Sequence, residues 1–455
     1  KNFNKCLITA LYYIHIIFLL FLTVSVYYTN YTLYRAIPVN ESQINYISRL
    51  KDLYDVIFWR ESRVVQKAND FIINPKDKPD FLRTAKSNNI YLTTLIEDVQ
   101  NAFNQQTVKR YIRRDMDSFN WQNYYRLDDI YQWLRDLSKL YPNQLQIQNI
   151  GKSHENRDIL AVKIVLDGYK THGSKIIVEG GIHAREWVSS AFVTYMINEV
   201  IHANKSKNSR LKAMANSYEW YFVPVLNVDG YEYSHTTDRL WRKNRNGYGV
   251  DLNRNFPYAF GTTGISFKEK AEDYCGNKPL SEREAIAMAK FIQSNSKNLE
   301  YYISFHSYGQ YMILPYANSK QHHENYDEVY KVCKNVARKI RARYKTEYLI
   351  GTAYDTVGYT SSGLSSCWVK HNFKVPYVMS FELRDDGHDG FALSPSKILP
   401  TCQETMDGLI ELFYPEKYLH EPMTRLHTAA AGYKVSNEYI ITLISNIFFY
   451  ISQLR

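Results

Sequence analysis

From Tyr124 to Phe413 the sequence alternates short apolar runs with longer stretches of helical period, and no other feature constrains the fold as much. "IQNIGKS", "RDILAVKIVL", "SKIIVEGG", "SYEWYFVPVLN", "LEYYISFHS" and "VPYVMSFELR" read as strands. Helical stretches follow Glu186, fill "LSEREAIAMAKFIQ", and span His323 to Tyr344 and Ser394 to Phe413. Ser281, with Glu284 three residues later, predicts a capping box at the start of the second of these. Such alternation specifies an α/β sheet with helices on its faces.

A smaller unit precedes it, over residues 31–110. "YTLYRAIPV" reads as a strand, and Glu41 to Leu53 as a helix with Ile44, Ile47, Leu50 and Leu53 on one side. "DVIFWR" and "ANDFIINP" are strands, "DFLRTAKSNN" a short helix and "IYLTTLIEDV" a last strand. Strand-helix-strand-strand-helix-strand is an open-faced sandwich pattern. The connection "NQQTVKRYIRRDMDSF" then carries Lys109, Arg110, Arg113 and Arg114. Exposed linkers between domains are where proteolytic nicking concentrates, so this basic stretch predicts a junction for a trypsin-like protease.

The 455 residues suffice for one large core plus that smaller unit. A net charge of +10 is modest for the length, and no Lys/Arg block with interleaved aromatics marks a nucleic-acid surface. Lys1 and Lys5 precede an apolar run from Leu7 to Tyr28 without Asp, Glu, Lys or Arg. Residues 1–28 therefore read as a secretory signal, with a membrane anchor as the alternative because the run is long. Beyond Tyr414, residues 416–455 include the apolar "EYIITLISNIFFYI", too short to span a bilayer comfortably, and have no evident role. Outside the signal stand four cysteines, Cys275, Cys333, Cys367 and Cys402, which allow three pairings if all are bonded.

The chemistry gathers where apolar strands end. His183 and Glu186, three apart in "EGGIHAREW", place an imidazole and a carboxylate where both can meet one zinc ion. Alone, that spacing arises often by composition. His306 closes "YYISF" and supplies a third ligand from a neighbouring element, leaving an open fourth position as a catalytic site requires. Glu382 ends "YVMSFE", where an ionised carboxylate is costly unless paired or functional; beside a metal-activated water it is a general base. "RLWRKNR" and "GVDLNRNF" add Arg239, Arg242, Arg245, Asn253 and Arg254, guanidinium forks and an amide suited to a carboxylate and a polarised carbonyl.

"GGIHAREW", "NVDGYEYS", "LWRKNR", "GVDLNRNF", "ISFHSYGQ", "GYTSSG" and "FELRDDG", in this order, resemble the zinc metallocarboxypeptidases of the pancreatic carboxypeptidase A and B type. "FW" at 58 and 59 and "LIEDV" make the N-terminal unit similar to that family's activation propeptide. The resemblance implies a mixed, about eight-stranded sheet flanked by helices over residues 115–415, preceded by a ferredoxin-like α+β propeptide over 31–110. It implies one Zn2+ per chain on His183, Glu186 and His306, with Glu382 as general base and acid and Arg242 polarising the scissile carbonyl. Asn253, Arg254 and Tyr359 would clamp the substrate's terminal carboxylate, and Arg185 would line the next subsite. The implied protein is a secreted, monomeric zymogen acting on peptide or protein C-termini after a trypsin-like protease activates it. Rival readings are a non-catalytic relative that binds peptide termini and a membrane-anchored ectopeptidase.

Three departures from the family bear on specificity and pairing. The stretch from Arg242 to Asn253 is short and lacks the first cysteine of a common disulfide, leaving Cys275 without an obvious partner. In "SSGLSSCW", Ser366 falls where A-type enzymes carry an apolar residue and B-type enzymes an aspartate. Cys367 replaces the aspartate that usually follows. A neutral pocket predicts release of neutral or hydrophobic C-terminal residues.

Overall fold

A computed structural model describes residues 25–106, 119–167 and 173–416. Most of the apolar N-terminal run, the basic junction with Lys109, Arg110, Arg113 and Arg114, and nearly all of the 416–455 tail lie outside the described residues. No helix among the described residues is long and apolar enough to cross a membrane.

The larger unit is built on an eight-stranded sheet. Its strands are β5 (Leu145–Lys152), β6 (Asp158–Ile164), β7 (Lys175–Glu179), β8 (Glu219–Val223), β9 (Leu299–Ser307), β10 (Tyr311–Ile313), β11 (Leu349–Gly351) and β12 (Tyr377–Leu383). They lie in the order β11-β10-β12-β9-β7-β8-β6-β5. The four central strands β12, β9, β7 and β8 run parallel, while β5, β6 and β10 make antiparallel pairs, so the sheet is mixed. Its centre is apolar because it is covered: Ile176, Ile177, Val178, Tyr302, Ile303, Phe305, Met379 and Phe381 are buried completely. Phe305 stacks against Phe381 at 5.2 Å and meets Phe192 of the helix Trp187–Ile201 at 4.6 Å. Truncating Phe305 to alanine would cost about 3–5 kcal/mol through the cavity it leaves.

All six strands read from the sequence are present. The two short strands at one side of the sheet, β10 and the edge strand β11, escaped it, being three residues each and too short to show a period. The capping box expected at Ser281 does not form. The helix runs Arg283–Asn295, and Glu284 is drawn inward to accept from the His154 N–H at 3.0 Å and Asn244 at 3.1 Å. The cysteines Cys275, Cys333, Cys367 and Cys402 are all buried free thiols, so none of the three pairings is present.

The smaller unit carries β1 (Thr32–Ala36), β2 (Val56–Arg60), β3 (Asn69–Ile73) and β4 (Leu92–Ile96) in an antiparallel sheet of order β2-β3-β1-β4. Helices Glu41–Ser48 and Lys78–Ser87 pack Ile44, Ile47, Phe81 and Ala85 inward, the open-faced sandwich expected of it. The helix predicted to reach Leu53 breaks at Arg49 and resumes over Leu50–Leu53. A further helix, Val99–Gln106, follows β4; it starts at the last residue of the expected strand and runs into the first three residues of the expected connection. Its stabilisation is tertiary. Phe103 joins Trp59 at 6.0 Å, Trp59 meets Phe391 of the larger unit at 5.4 Å, and Gln106 donates to the Phe391 and Leu393 carbonyls at 3.0 Å each.

Candidate metal site and cleft

The parallel strands β7, β9 and β12 all end at one edge, where α/β sheets collect their functional groups. β7 hands over to a turn at Gly180 and Gly181. Gly181 has φ +65°, and a Cβ there would lie 2.6 Å from Ser190 Oγ, so a side chain is excluded on both counts. The turn brings His183 back under the strand ends, and Glu186 follows at the head of the helix Trp187–Ile201.

His183, Glu186 and His306 converge, each offering one ligand atom, with these atoms within 4.8 Å of one another and all three side chains buried. Glu186 meets His183 Nδ1 at 2.7 Å through Oε1 and His306 Nδ1 at 3.1 Å through Oε2. The two Nδ1 atoms stand 3.2 Å apart. Behind them, His183 Nε2 faces Asp251 Oδ1 at 3.2 Å and His306 Nε2 faces Ser304 Oγ at 2.9 Å. An Nε2–H held by the carboxylate leaves Nδ1 of His183 as a lone pair aimed at the cluster centre. Two imidazole nitrogens and one carboxylate, buried and mutually facing, form the donor set that zinc takes with a fourth position open. Burial alone would push the Glu186 carboxyl up, but His183 and His306 outweigh it and hold it below the usual range.

The remaining expected residues surround this cluster. Glu382 is half-buried, and its enclosure is the main reason that its carboxyl rises well above the ordinary value, against the pull of His306. Arg242 lies 3.5 Å from Glu186 and grips Asp251 Oδ2 through Nε at 3.0 Å and a terminal nitrogen at 2.9 Å. Asn253 accepts the Ser365 N–H at 3.0 Å and turns its amide nitrogen to within 3.4 Å of His306. Arg254 is braced by the Gly264 and Asn253 carbonyls, 2.9 Å each. Burial chiefly raises the Tyr359 phenol, with Arg254, Arg242 and Glu382 as its charged neighbours in the cleft. Arg185 points to the far side, donating to Leu240 O at 3.1 Å and Glu272 at 2.9 Å beside the Phe391 ring. Ser366 is buried at the start of the helix Ser365–Phe373, its hydroxyl 3.3 Å from Ser380 Oγ.

Two residues here escaped the sequence reading: Asp251, which ties His183 to Arg242, and Ser304, which backs His306. The signal for Ser304 was its place two residues before His306, on the same strand face. Asp251 lay inside "GVDLNRNF" but its partners are distant in sequence.

Residues 130–408 match the zinc carboxypeptidase family, and residues 34–106 match the carboxypeptidase activation peptide. The chain belongs to the zinc carboxypeptidase family. It is 33% identical to zinc carboxypeptidase A 1 of Anopheles gambiae over 86% of this chain and 92% of that one. To carboxypeptidase B of Rattus norvegicus it is 31% identical over 85% of this chain and 93% of the relative. The crystal structure of thrombin-activatable fibrinolysis inhibitor superposes with a TM-score of 0.79 at 29% identity, covering 85% of this chain and 98% of that one. This zinc carboxypeptidase therefore carries an activation peptide in its smaller unit.

The activation peptide sits against the cleft rim. Asp70, wholly buried, is gripped by Arg35 at 2.7 and 2.9 Å and by the Tyr308 hydroxyl at 3.1 Å. Arg35 and Arg60 both donate onward to the Asp386 carbonyl, at 2.7 and 2.9 Å, four residues past Glu382. The segment Ser62–Val64 packs so closely on Gly358 that a Cβ there would fall 2.8 Å from Val64, directly beside Tyr359.

Proposed function

We propose that this carboxypeptidase is made as a secreted zymogen and, once cut at the basic junction, releases single neutral C-terminal residues from peptides. What supports the specificity is the uncharged set of side chains around Ser366. Ser366 and Ser380 face one another, and Cys367 beside them accepts the Ala317 N–H at 3.2 Å with its thiol pushed up to about 11 by burial. No carboxylate is among them to pair a Lys or Arg side chain.

In this reading His183, Glu186 and His306 hold the zinc, which supplies Lewis-acid polarisation of the scissile carbonyl and activates water. Glu382 takes the proton of the attacking water and returns it to the leaving amine. Arg242, immobilised on Asp251, aims its charge at the oxygen that becomes negative, and no reorganisation is needed at that moment. Asn253, Arg254 and Tyr359 hold the terminal carboxylate, which selects chain ends over internal bonds. Arg185 and Phe391 border the preceding residues. The export signal rests on the basic start and apolar run of residues 1–28.

The test is hydrolysis of an N-blocked dipeptide by trypsin-treated, zinc-loaded protein. A fully zinc-loaded, cut chain that binds the dipeptide without turnover would favour the non-catalytic alternative.

A further inference from the structure

Beneath the ligand cluster the sheet carries a second row of polar side chains. Glu179 of β7 pairs in register with Ser304 of β9, which pairs with Ser380 of β12. The three share the sheet face of His306, two residues beyond Ser304. Ser304 is used by His306 and Ser380 by Ser366. Glu179 needs its own account. It is completely buried: Oε1 accepts from Ser365 Oγ at 2.9 Å, Oε2 makes no hydrogen bond of good geometry among the described residues, and the buried Tyr302 phenol stands beside both Glu179 and Ser365. A half-satisfied buried carboxyl costs stability that an apolar residue in this strand would not.

Ser365 leads from Glu179 to the cleft. It is the first residue of the helix Ser365–Phe373, whose preceding residue, Leu364, gives no side-chain cap. The hydroxyl contact with Glu179 is thus what tethers this turn by its side chain. The Ser365 backbone N–H, in turn, donates to Asn253 Oδ1 at 3.0 Å. A backbone N–H can pair only with the oxygen of an amide, so it decides which way Asn253 faces. With Oδ1 held, the amide nitrogen of Asn253 faces the other way, 3.4 Å from His306 Nε2, and its N–H groups are what it can offer a carboxylate. A reversed amide would set an oxygen against a substrate carboxylate and repel it.

We propose that Glu179 is a positioning residue for the substrate's terminal carboxylate, acting through Ser365 on the orientation of Asn253. The proposal rests on the reading of Asn253 as part of the carboxylate clamp. Its test uses the full chain, activated by limited trypsin and loaded with zinc, in the variants Asn253→Ala, Ser365→Ala, Ser365→Thr, Glu179→Gln and Glu179→Leu. Removing the tether in Ser365→Ala or Glu179→Leu should raise KM for a blocked dipeptide about tenfold, the weight of one well-placed hydrogen bond to a charged group. Turnover number and zinc content should stay close to parental. Ser365→Thr and Glu179→Gln keep a hydroxyl and an acceptor, and should restore KM. Glu179→Leu should melt no lower than the parent while its KM worsens, a divergence that a merely structural carboxyl does not produce. In an Asn253→Ala background, Ser365→Ala should add less than about twofold, because the group it orients is gone. If Asn253→Ala raises KM while Ser365→Ala and Glu179→Leu do not, the clamp stands and the relay is overturned. If Asn253→Ala itself leaves KM unchanged, the clamp reading fails and the relay with it.

Discussion

Glu382 and His306 are register partners on the adjacent parallel strands β12 and β9. A main-chain ladder, rather than a loop, therefore sets the spacing between Glu382 and His306, with strands about 4.8 Å apart. Sites placed on strands hold their geometry more tightly than sites on loops. Because Glu382 is not one of the three converging ligands, it can be altered without dismantling them. Glu382→Gln keeps the size of the side chain and removes the base, so turnover should fall at least about 10²-fold. Zinc should remain near one per chain by elemental analysis. Near-normal turnover in this variant would remove the role given to Glu382.

Asp251 offers a sharper test of the support behind the ligands. Its carboxylate faces His183 through one oxygen and Arg242 through the other. Asp251→Asn keeps the shape, weakens the acceptor that holds the His183 tautomer, and loosens the Arg242 fork. Zinc affinity, measured by competition with a chelator, should weaken about 10- to 100-fold. Catalysis at saturating zinc should fall as well, because Arg242 is no longer fixed. Unchanged zinc affinity would show that His183 needs no such partner.

The strands that lead to the site were legible because β7, β9 and β12 are covered on both faces and read as apolar runs that stop at a polar residue. His306 and Glu382 stand out for that reason. What stayed hidden was tertiary. The helix Val99–Gln106 has only Val99 and Phe103 as large apolar anchors and is held by the larger unit at Phe391 and Leu393. Glu284 fits a capping box by spacing, but the buried amide of Asn244 and the His154 N–H claim its carboxylate. Arg49 interrupts a helix whose apolar spacing continues through it. Asp251 stood in a quoted motif, yet its two partners come from separate segments that only the fold brings together.

Latency should follow from the seat of the activation peptide. Its Arg35 and Arg60 fasten to the Asp386 carbonyl, and its Ser62–Val64 stretch lies against Gly358 beside Tyr359. The uncut chain should therefore hydrolyse peptides poorly, and limited trypsin should release activity by cutting after Arg110, Arg113 or Arg114. Asp70 is the buried anion that holds both arginines in place. Asp70→Asn leaves two guanidinium groups without their countercharge, a loss of about 3–5 kcal/mol for a buried pair. That variant should show several-fold higher activity before cleavage and little change after it. Full activity in uncut parental protein, with its mass confirmed, would overturn the zymogen reading.

The proposed specificity turns on the side chains around Ser366. A substrate Lys or Arg buried there finds two hydroxyls and a thiol in place of a carboxylate. An unpaired cation should cost several kcal/mol, on the order of a thousandfold in selectivity. Apolar side chains meet no such penalty and gain about 0.8 kcal/mol for each buried methylene. The paired hydroxyls of Ser366 and Ser380 also give a neutral polar side chain such as Gln a partner. Cys367 adds a pH argument. A thiol is neutral below its pKa, and burial pushes this one up to about 11, so thiolate appears only above that value. A substrate lysine remains charged up to about pH 10.4, so between pH 6 and pH 9 neither partner changes state. The ratio of kcat/KM for peptides ending in Phe and in Lys should therefore stay high and flat across that range. Peptides ending in Leu and Gln should be cleaved and one ending in Glu should not, since the pocket wall offers a carboxylate no countercharge. A Lys preference at pH 7 would mean that an acid outside residues 359–368 lines the pocket. A preference that shifts toward Lys between pH 7 and pH 9 would mean that the Cys367 thiol ionises far below the value its burial imposes.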